Sequence, residues 1–257
     1  MPTHAPSIII VEDQGMFREF LVARCQGLYP NAVVRACGDA TDALKICASS
    51  EPTLALVDVN LPDGDGLELG QQLLLFYPKL RVISISGECT EALMVRLKAT
   101  KIAGFVDKNE HVDTLAVAIK EVLSGRNYFS SSLREHQLGI SREANAWPKL
   151  LSDTEIKILP FLGANMEVAQ IAAIFHLSVS TVLWHRKNIR AKLDLKSDSD
   201  LMQFCATKGF VLVGGGQVRP VKMSSLSSIP TRLPARGSGE AGGHATGPRV
   251  GRIAERS

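Results

Sequence analysis

Over the first 125 residues, short apolar runs alternate with stretches of helical periodicity. Ser7-Ile8-Ile9-Ile10-Val11 is a β-branched run that predicts a strand ending on Glu12-Asp13. Phe17, Phe20, Leu21, Cys25 and Leu28 then recur at the spacing of a helix that stops at Pro30. Val33 to Ala36 predicts a second strand and Ala40 to Ala48 a second helix. Leu54 to Val57 is apolar without alternation, which suits a strand buried on both faces, and Leu67 to Phe76 is a helix closed by Pro78. Arg81 to Ser86 and Gly104 to Val106 are the fourth and fifth strands, followed by helices at Glu91 to Ala99 and Val112 to Leu123. Five strands alternating with five helices predict an α/β domain, a doubly wound five-stranded parallel sheet, over residues 6–125.

Beyond Gly125 the periodicity lapses. Residues 126–148 gather Ser, Asn and Gly and read as a linker with one helical turn, its Tyr128, Phe129 and Trp147 packing on a neighbouring domain. From 149 to 211 the pattern is helical only. Ser152-Asp153-Thr154-Glu155 is a capping box. Pro160 falls inside the helix that it opens and predicts a kink or a shortening, and Asn165 suits a left-handed cap after it. Val168, Ile171, Ala172 and Phe175 mark a second helix; His176-Leu177 is a tight turn, and Ser178 caps a third helix carrying Val182, Ile189 and Leu193. Asp198 to Lys208 is a fourth. Short helices joined by a tight turn predict a small all-α helix-turn-helix domain. Residues 212–257, rich in Gly, Ser, Pro and Arg, predict a disordered basic tail.

Composition narrows the setting. The 257 residues give room for two ordinary domains, and 45% hydrophobic content supports packed cores. No apolar run reaches the roughly 18–20 residues that span a bilayer. The N-terminal apolar run is too short for a signal peptide and lacks a basic region before it. Cys25, Cys37, Cys47, Cys89 and Cys205 are scattered, with no Cys-x-x-Cys pair, as in a reduced cytoplasmic protein without a zinc site. The net charge of +3 hides a polarity. Residues 1–125 carry 11 Lys and Arg against 16 Asp and Glu, residues 149–208 carry 8 against 6, and the chain from Gly214 carries 7 against 2. An acidic front and a basic back predict different partners for the two ends, and the basic tail can add sequence-independent attraction to DNA phosphates.

The candidate chemistry lies at the strand ends. In a doubly wound sheet the C-terminal ends of the strands share one edge, where such folds bind ligands. That edge gathers Glu12 and Asp13, Asp58, Ser86 and Lys108. Clustered carboxylates repel one another unless a hard cation sits among them, and Mg²⁺ is the natural occupant. One carboxylate can then attack phosphorus, with a lysine ammonium and a hydroxyl holding the phosphoryl oxygens. Taken alone, Asp58 also reads as an aspartate that merely opens the loop through Asn60, Pro62, Gly64 and Gly66.

The set Glu12, Asp13, Asp58, Ser86 and Lys108, at spacings of 45, 28 and 22 from Asp13 on, resembles the receiver domain of bacterial two-component response regulators. The resemblance implies a flavodoxin-like strand order 2-1-3-4-5. It also implies that Asp58 is the phosphoacceptor and that Mg²⁺ is held by Glu12, Asp13, Asp58 and the Asn60 carbonyl. Ser86 and Lys108 would contact the phosphoryl group, and Phe105 would change rotamer with Ser86. Glu12 and Ser86 depart from the commoner Asp and Thr but keep the charge and the hydroxyl. Asp63 and Asp65 are read as solvated loop residues, with metal recruitment as the alternative; Asp107 is an unusual acid beside Lys108.

The second domain is similar to the DNA-binding domain of the LuxR/FixJ/NarL class, carried by Leu151-Ser152, Glu155, Ile171-Ala172, Leu177-Ser178, Thr181-Val182, His185-Arg186, Asn188-Ile189 and Lys192-Leu193. The polar and basic positions Thr181, His185, Arg186, Asn188 and Lys192, with the capping Ser178, suit phosphate and base-edge contacts in a major groove. Leu183 stands where the family usually places Lys, and Trp184 adds a large apolar group beside it. Together the resemblances imply a non-enzymatic, cytoplasmic response regulator of the NarL/FixJ type. Its partners would be a sensor histidine kinase and promoter DNA, bound as a homodimer, with no membrane. The competing reading is a receiver acting mainly through protein contacts, its DNA binding weakened. A haloacid-dehalogenase-like phosphatase is disfavoured because position 60 is Asn rather than a second acid.

Overall fold

The computed structural model describes residues 5–214 and 217–221. Its first domain alternates β1 (Ser7–Val11), α1 (Gly15–Leu28), β2 (Val33–Cys37), α2 (Ala40–Ser49), β3 (Leu54–Asp58), α3 (Gly66–Phe76), β4 (Arg81–Ser86), α4 (Glu91–Lys98), β5 (Gly104–Asp107) and α5 (Val112–Leu123). These strands pair in parallel in the order β2-β1-β3-β4-β5. Side chains alternate across a strand, so each strand feeds two cores. Ile8, Ile10, Leu54, Leu56, Ile83 and Ile85 face α1 and α5. Ile9, Val11, Ala55, Val57, Val82 and Phe105 face the opposite layer, with Leu67, Leu73 and Leu93. That double burial is why the strands read as apolar runs without alternation.

The sheet has six strands rather than five. Tyr128 and Phe129 form β6, parallel to β5, and their rings pack on the two sides of the same sheet. The stretch expected as a linker is therefore structured. It continues into a twelve-residue helix, α6 (Ser131–Arg142), whose Leu133 is buried, and a short helix, α7 (Trp147–Leu150). His136 Nε2 lies 2.9 Å from the Cys89 carbonyl oxygen, fixing α6 beside α4.

The second domain holds α8 (Asp153–Gly163), α9 (Val168–Phe175), α10 (Val179–Lys192) and α11 (Asp198–Lys208). It is not purely helical: an antiparallel hairpin, β7 (Val211–Gly214) and β8 (Gln217–Pro220), follows α11, where the basic tail was expected to begin. Residues 222–257, the rest of that expected tail, lie outside the described residues. The capping box at Ser152 and Glu155 is formed, and α8 runs through Pro160 to Gly163, with the proline ring buried among core residues. A proline one turn from a helix end removes one hydrogen bond without ending the helix. Asn165 and His176 both adopt left-handed conformations, φ 53°, and close the turns after α8 and α9. Helices α9 and α10 meet at 105°, the angle of a helix-turn-helix. Among the described residues no single helix is long and apolar enough to cross a membrane.

The cysteines form no disulfide. Burial pushes the thiols of Cys25, Cys47 and Cys205 up to about 12, so they behave as small apolar core groups.

The two domains share α4. Ala92 is fully buried in the same apolar cluster as Trp147, Leu159 and Phe210. Glu91 accepts hydrogen bonds from the Trp147 indole (2.7 Å) and the Lys208 ammonium (2.6 Å). Within the second domain, α8 and α11 touch closely at Gly163, where an added Cβ would lie 2.3 Å from the Cys205 Cβ. Gly163→Ala is expected to force the helices apart and cost about 1–3 kcal/mol. Thermal unfolding followed by circular dichroism checks this; an unchanged melting temperature would show that the contact is slack.

Candidate functional site

The carboxyl ends of β1, β3, β4 and β5 place the expected groups at one edge. Glu12 and Asp58 are buried, Asp13 is exposed, and one carboxylate oxygen from each lies within 4.8 Å of the others. The Lys108 ammonium sits between two of them, 2.9 Å from Asp58 Oδ2 and 2.9 Å from Glu12 Oε2, over the Phe17 ring at 4.8 Å. Burial alone would lower this lysine's pKa, but its hydrogen bonds to Glu12 and Asp58, and their charges, outweigh burial and hold it above the ordinary value. Burial, with the Asp58 charge, raises the Glu12 carboxyl, partly offset by Lys108. Arg18 donates to the backbone carbonyls of Glu12 (2.6 Å) and Asp13 (3.3 Å), fixing the turn that presents both acids.

Asn60 follows the buried Val59, and its backbone N–H donates to Asp58 Oδ1 at 3.2 Å. Gly66 is packed so closely that a Cβ would fall 1.8 Å from the Asp58 carbonyl oxygen, which explains a glycine at the start of α3. Ser86 is buried, its hydroxyl accepting the Glu88 N–H at 3.1 Å. Phe105 is fully buried, beside Ser84 in the sheet register.

The neighbouring acids have structural duties. Asp63 accepts from the Ala40 and Thr41 N–H groups at the start of α2, at 2.8 and 3.0 Å. Asp65 caps α3 and pairs with the buried Arg96. Asp63 is exposed in its turn, as expected, while also engaging the start of α2; Asp65 is not the solvated loop residue expected, and neither belongs to the acidic cluster. Asp107 accepts from the Asn109 backbone and side chain, closing the turn after β5.

On α10 the expected DNA residues lie along the flanks. Ser178 caps the helix, its Oγ accepting from the Thr181 N–H at 3.0 Å. Arg186 pairs with Asp198 at 3.4 Å, and Lys192 with the buried Glu155 at 2.7 Å. His185 and Asn188 are half-buried. The outermost line is instead Ser180, Leu183, Trp184 and Lys187, all exposed. Helical spacing from the buried Val182 and Ile189 would have found it.

Comparisons with known proteins agree with both halves. Residues 8–120 match the response regulator receiver domain family, and residues 149–205 match the bacterial regulatory proteins of the luxR family. The chain is a response regulator of the NarL/FixJ type. The virulence-factor transcription regulator BvgA of Bordetella pertussis is 28% identical over 197 residues, covering 76% of this chain and 94% of that protein. The response regulator GacA of Pseudomonas aeruginosa is 26% identical over 208 residues, covering 79% and 97%. The fold resembles RcsB of Salmonella enterica serovar Typhimurium, solved bound to a promoter with a phosphomimetic, at TM-score 0.56 and 21% identity over 79% of this chain and 99% of that one. In this response regulator the receiver supplies the acidic edge and the luxR-type domain supplies α10.

Lys192 and Lys187 should separate on mutation. Removing Lys192 leaves buried Glu155 with only its Ser152 bonds, a loss of about 1–2 kcal/mol. Glu155 is buried, which would raise its pKa, but the bonds from Lys192 and Ser152 prevail and hold it below 4.5. A depressed carboxylate stabilises the fold above its unfolded pKa and loses that contribution as pH falls through the folded one. The difference in melting temperature between wild type and Lys192→Met should therefore be full near neutrality and shrink below about pH 4.5. Lys187→Met should leave the melting temperature unchanged at every pH.

Proposed function

We propose that Asp58 accepts a phosphoryl group from the phosphohistidine of a sensor histidine kinase in the cytoplasm, and that this controls promoter binding by a homodimer. A carboxylate oxygen forms the new bond to phosphorus as the donor's P–N bond breaks. The observation that carries the reading is the Lys108 ammonium held between Asp58 and Glu12, a cation already placed where negative charge would accumulate. The carboxylates of Glu12, Asp13 and Asp58 fit Mg²⁺ in donor type and mutual distance, with the Asn60 carbonyl as a further oxygen ligand. Bound there, the ion would supply charge neutralisation to the phosphoryl oxygens.

The route outward follows from contacts. Turning the Ser86 hydroxyl toward a phosphoryl group would release the Glu88 N–H and shift the segment from Gly87 to Thr90. Thr90 caps α4 and fills the space beside Gly209, where any Cβ would lie 2.3 Å from its Oγ1. Gly209 has φ +79°, a conformation suited to glycine. The next residue, Glu91, holds Trp147 and Lys208. Movement at Ser86 is thereby carried to the DNA-binding domain, and Phe105, on the next strand, is the apolar partner of that movement. Tighter pairing of two α11-bearing domains on a palindrome would raise DNA affinity.

A small-molecule phosphodonor with Mg²⁺ should add one acid-stable, base-labile phosphoryl group to the wild type and none to Asp58→Asn. The labelled protein should also bind its promoter more tightly. Full labelling of Asp58→Asn, or a promoter response that survives the substitution, would refute the reading.

A further inference from the structure

The centre of the outward face of α10 is apolar where a base-reading helix would ordinarily present donors. Leu183 is 41% exposed and Trp184 is 59% exposed, between Ser180 and Lys187. The receiver does not cover them: its contacts with the second domain run through α4 to Trp147, Lys208 and the Gly209–Phe210 segment. The surrounding cations are directed aside, Arg186 and Arg190 to Asp198 and Lys192 to Glu155. Among the described residues Lys187 has no ion pair, and it stands one turn from Leu183 and Trp184. The Trp184 ring meets His185 edge-on, with centroids 5.0 Å apart and planes at 71°, which gives the patch a defined shape.

Two features fix the occupant. Helix α10 carries four Lys and Arg residues and no carboxylate, so it complements a polyanion rather than a neutral apolar groove. Leucine has neither donor nor acceptor and cannot hydrogen-bond to the edges of guanine, adenine or cytosine. The one apolar group that the major groove displays is the thymine C5-methyl. We propose that Leu183 and Trp184 read thymine methyl groups, so that thymine at the central contacted steps is the specificity determinant of the site. The inference rests on the DNA-binding reading above.

The full-length protein, phosphorylated at Asp58, is used to select duplexes from a random pool. The selected duplex is then remade with deoxyuridine replacing thymine one step at a time. Loss of a methyl that is buried on binding should weaken affinity about fourfold per half-site. Leu183→Ala should bind the thymine and uracil duplexes alike, and because Leu183 is exposed the variant should keep the wild-type melting temperature. Equal wild-type affinity for thymine and uracil at every step overturns this inference while leaving DNA binding intact. So does full discrimination by a Leu183→Ala, Trp184→Ala double variant. Selection that enriches no sequence, with no duplex bound, overturns the DNA-binding reading itself and assigns the face to a protein partner.

Discussion

Two buried carboxylates at one sheet edge repel each other, and the Lys108 ammonium lies between them. Glu12 and Asp58 come from strands paired directly in the sheet, so the fold itself forces them together. A buried ion pair of this kind contributes little net stability, because desolvation offsets most of the attraction; removing one partner, however, strands the other. The lysine is accordingly held by the two acids and the Phe17 ring. The arrangement makes sense chemically if the edge must take on more negative charge later, since an ammonium already bound there needs no reorganisation.

The same edge explains why α4 belongs to both domains. Its cap, Thr90, follows the loop from Ser86 by a few residues, and its first turn carries both Glu91 and Ala92. An element whose polar end lies at the acidic edge and whose apolar face completes another domain's core cannot shift without moving both. Yet the recognition face of α10 is left open by this interface. In the proposed function, control would then act through how two copies of α10 are presented to DNA, a matter of orientation and pairing, rather than through uncovering α10.

What was legible in the sequence follows a physical rule. The central strands were readable because burial on both faces leaves mainly apolar runs, as in Leu54 to Val57, and the site was readable because strand ends converge in a known topology. Strand β6 was missed because two residues carry no periodicity, and α6 because Leu133 is its one fully buried residue and its stability comes from α4. The hairpin after α11 hid behind three consecutive glycines that read as the onset of a tail. Asp63 and Asp65 looked like loop acids because nothing in their spacing announces the helix ends they cap. On α10, residue chemistry pointed to Arg186 and Lys192, whereas helical spacing points to Ser180, Leu183, Trp184 and Lys187.

The two flanks of α10 are not equivalent for binding a polyanion. The pairs of Arg186 and Arg190 with Asp198 are 3.4 and 3.3 Å long, and that carboxylate is half exposed. Exposed pairs of this kind hold the side chains by no more than about 1 kcal/mol, so phosphate can displace Asp198 at little cost. Lys192 is different, because releasing it would leave Glu155 buried with its charge uncompensated. In the proposed DNA-bound state, phosphate is therefore more readily contacted from the arginine side and Lys187 than by Lys192, whose ammonium also holds Glu155. On the proposed reading, with the backbone held along that side, the exposed apolar centre of Leu183 and Trp184 is what would distinguish one sequence from another.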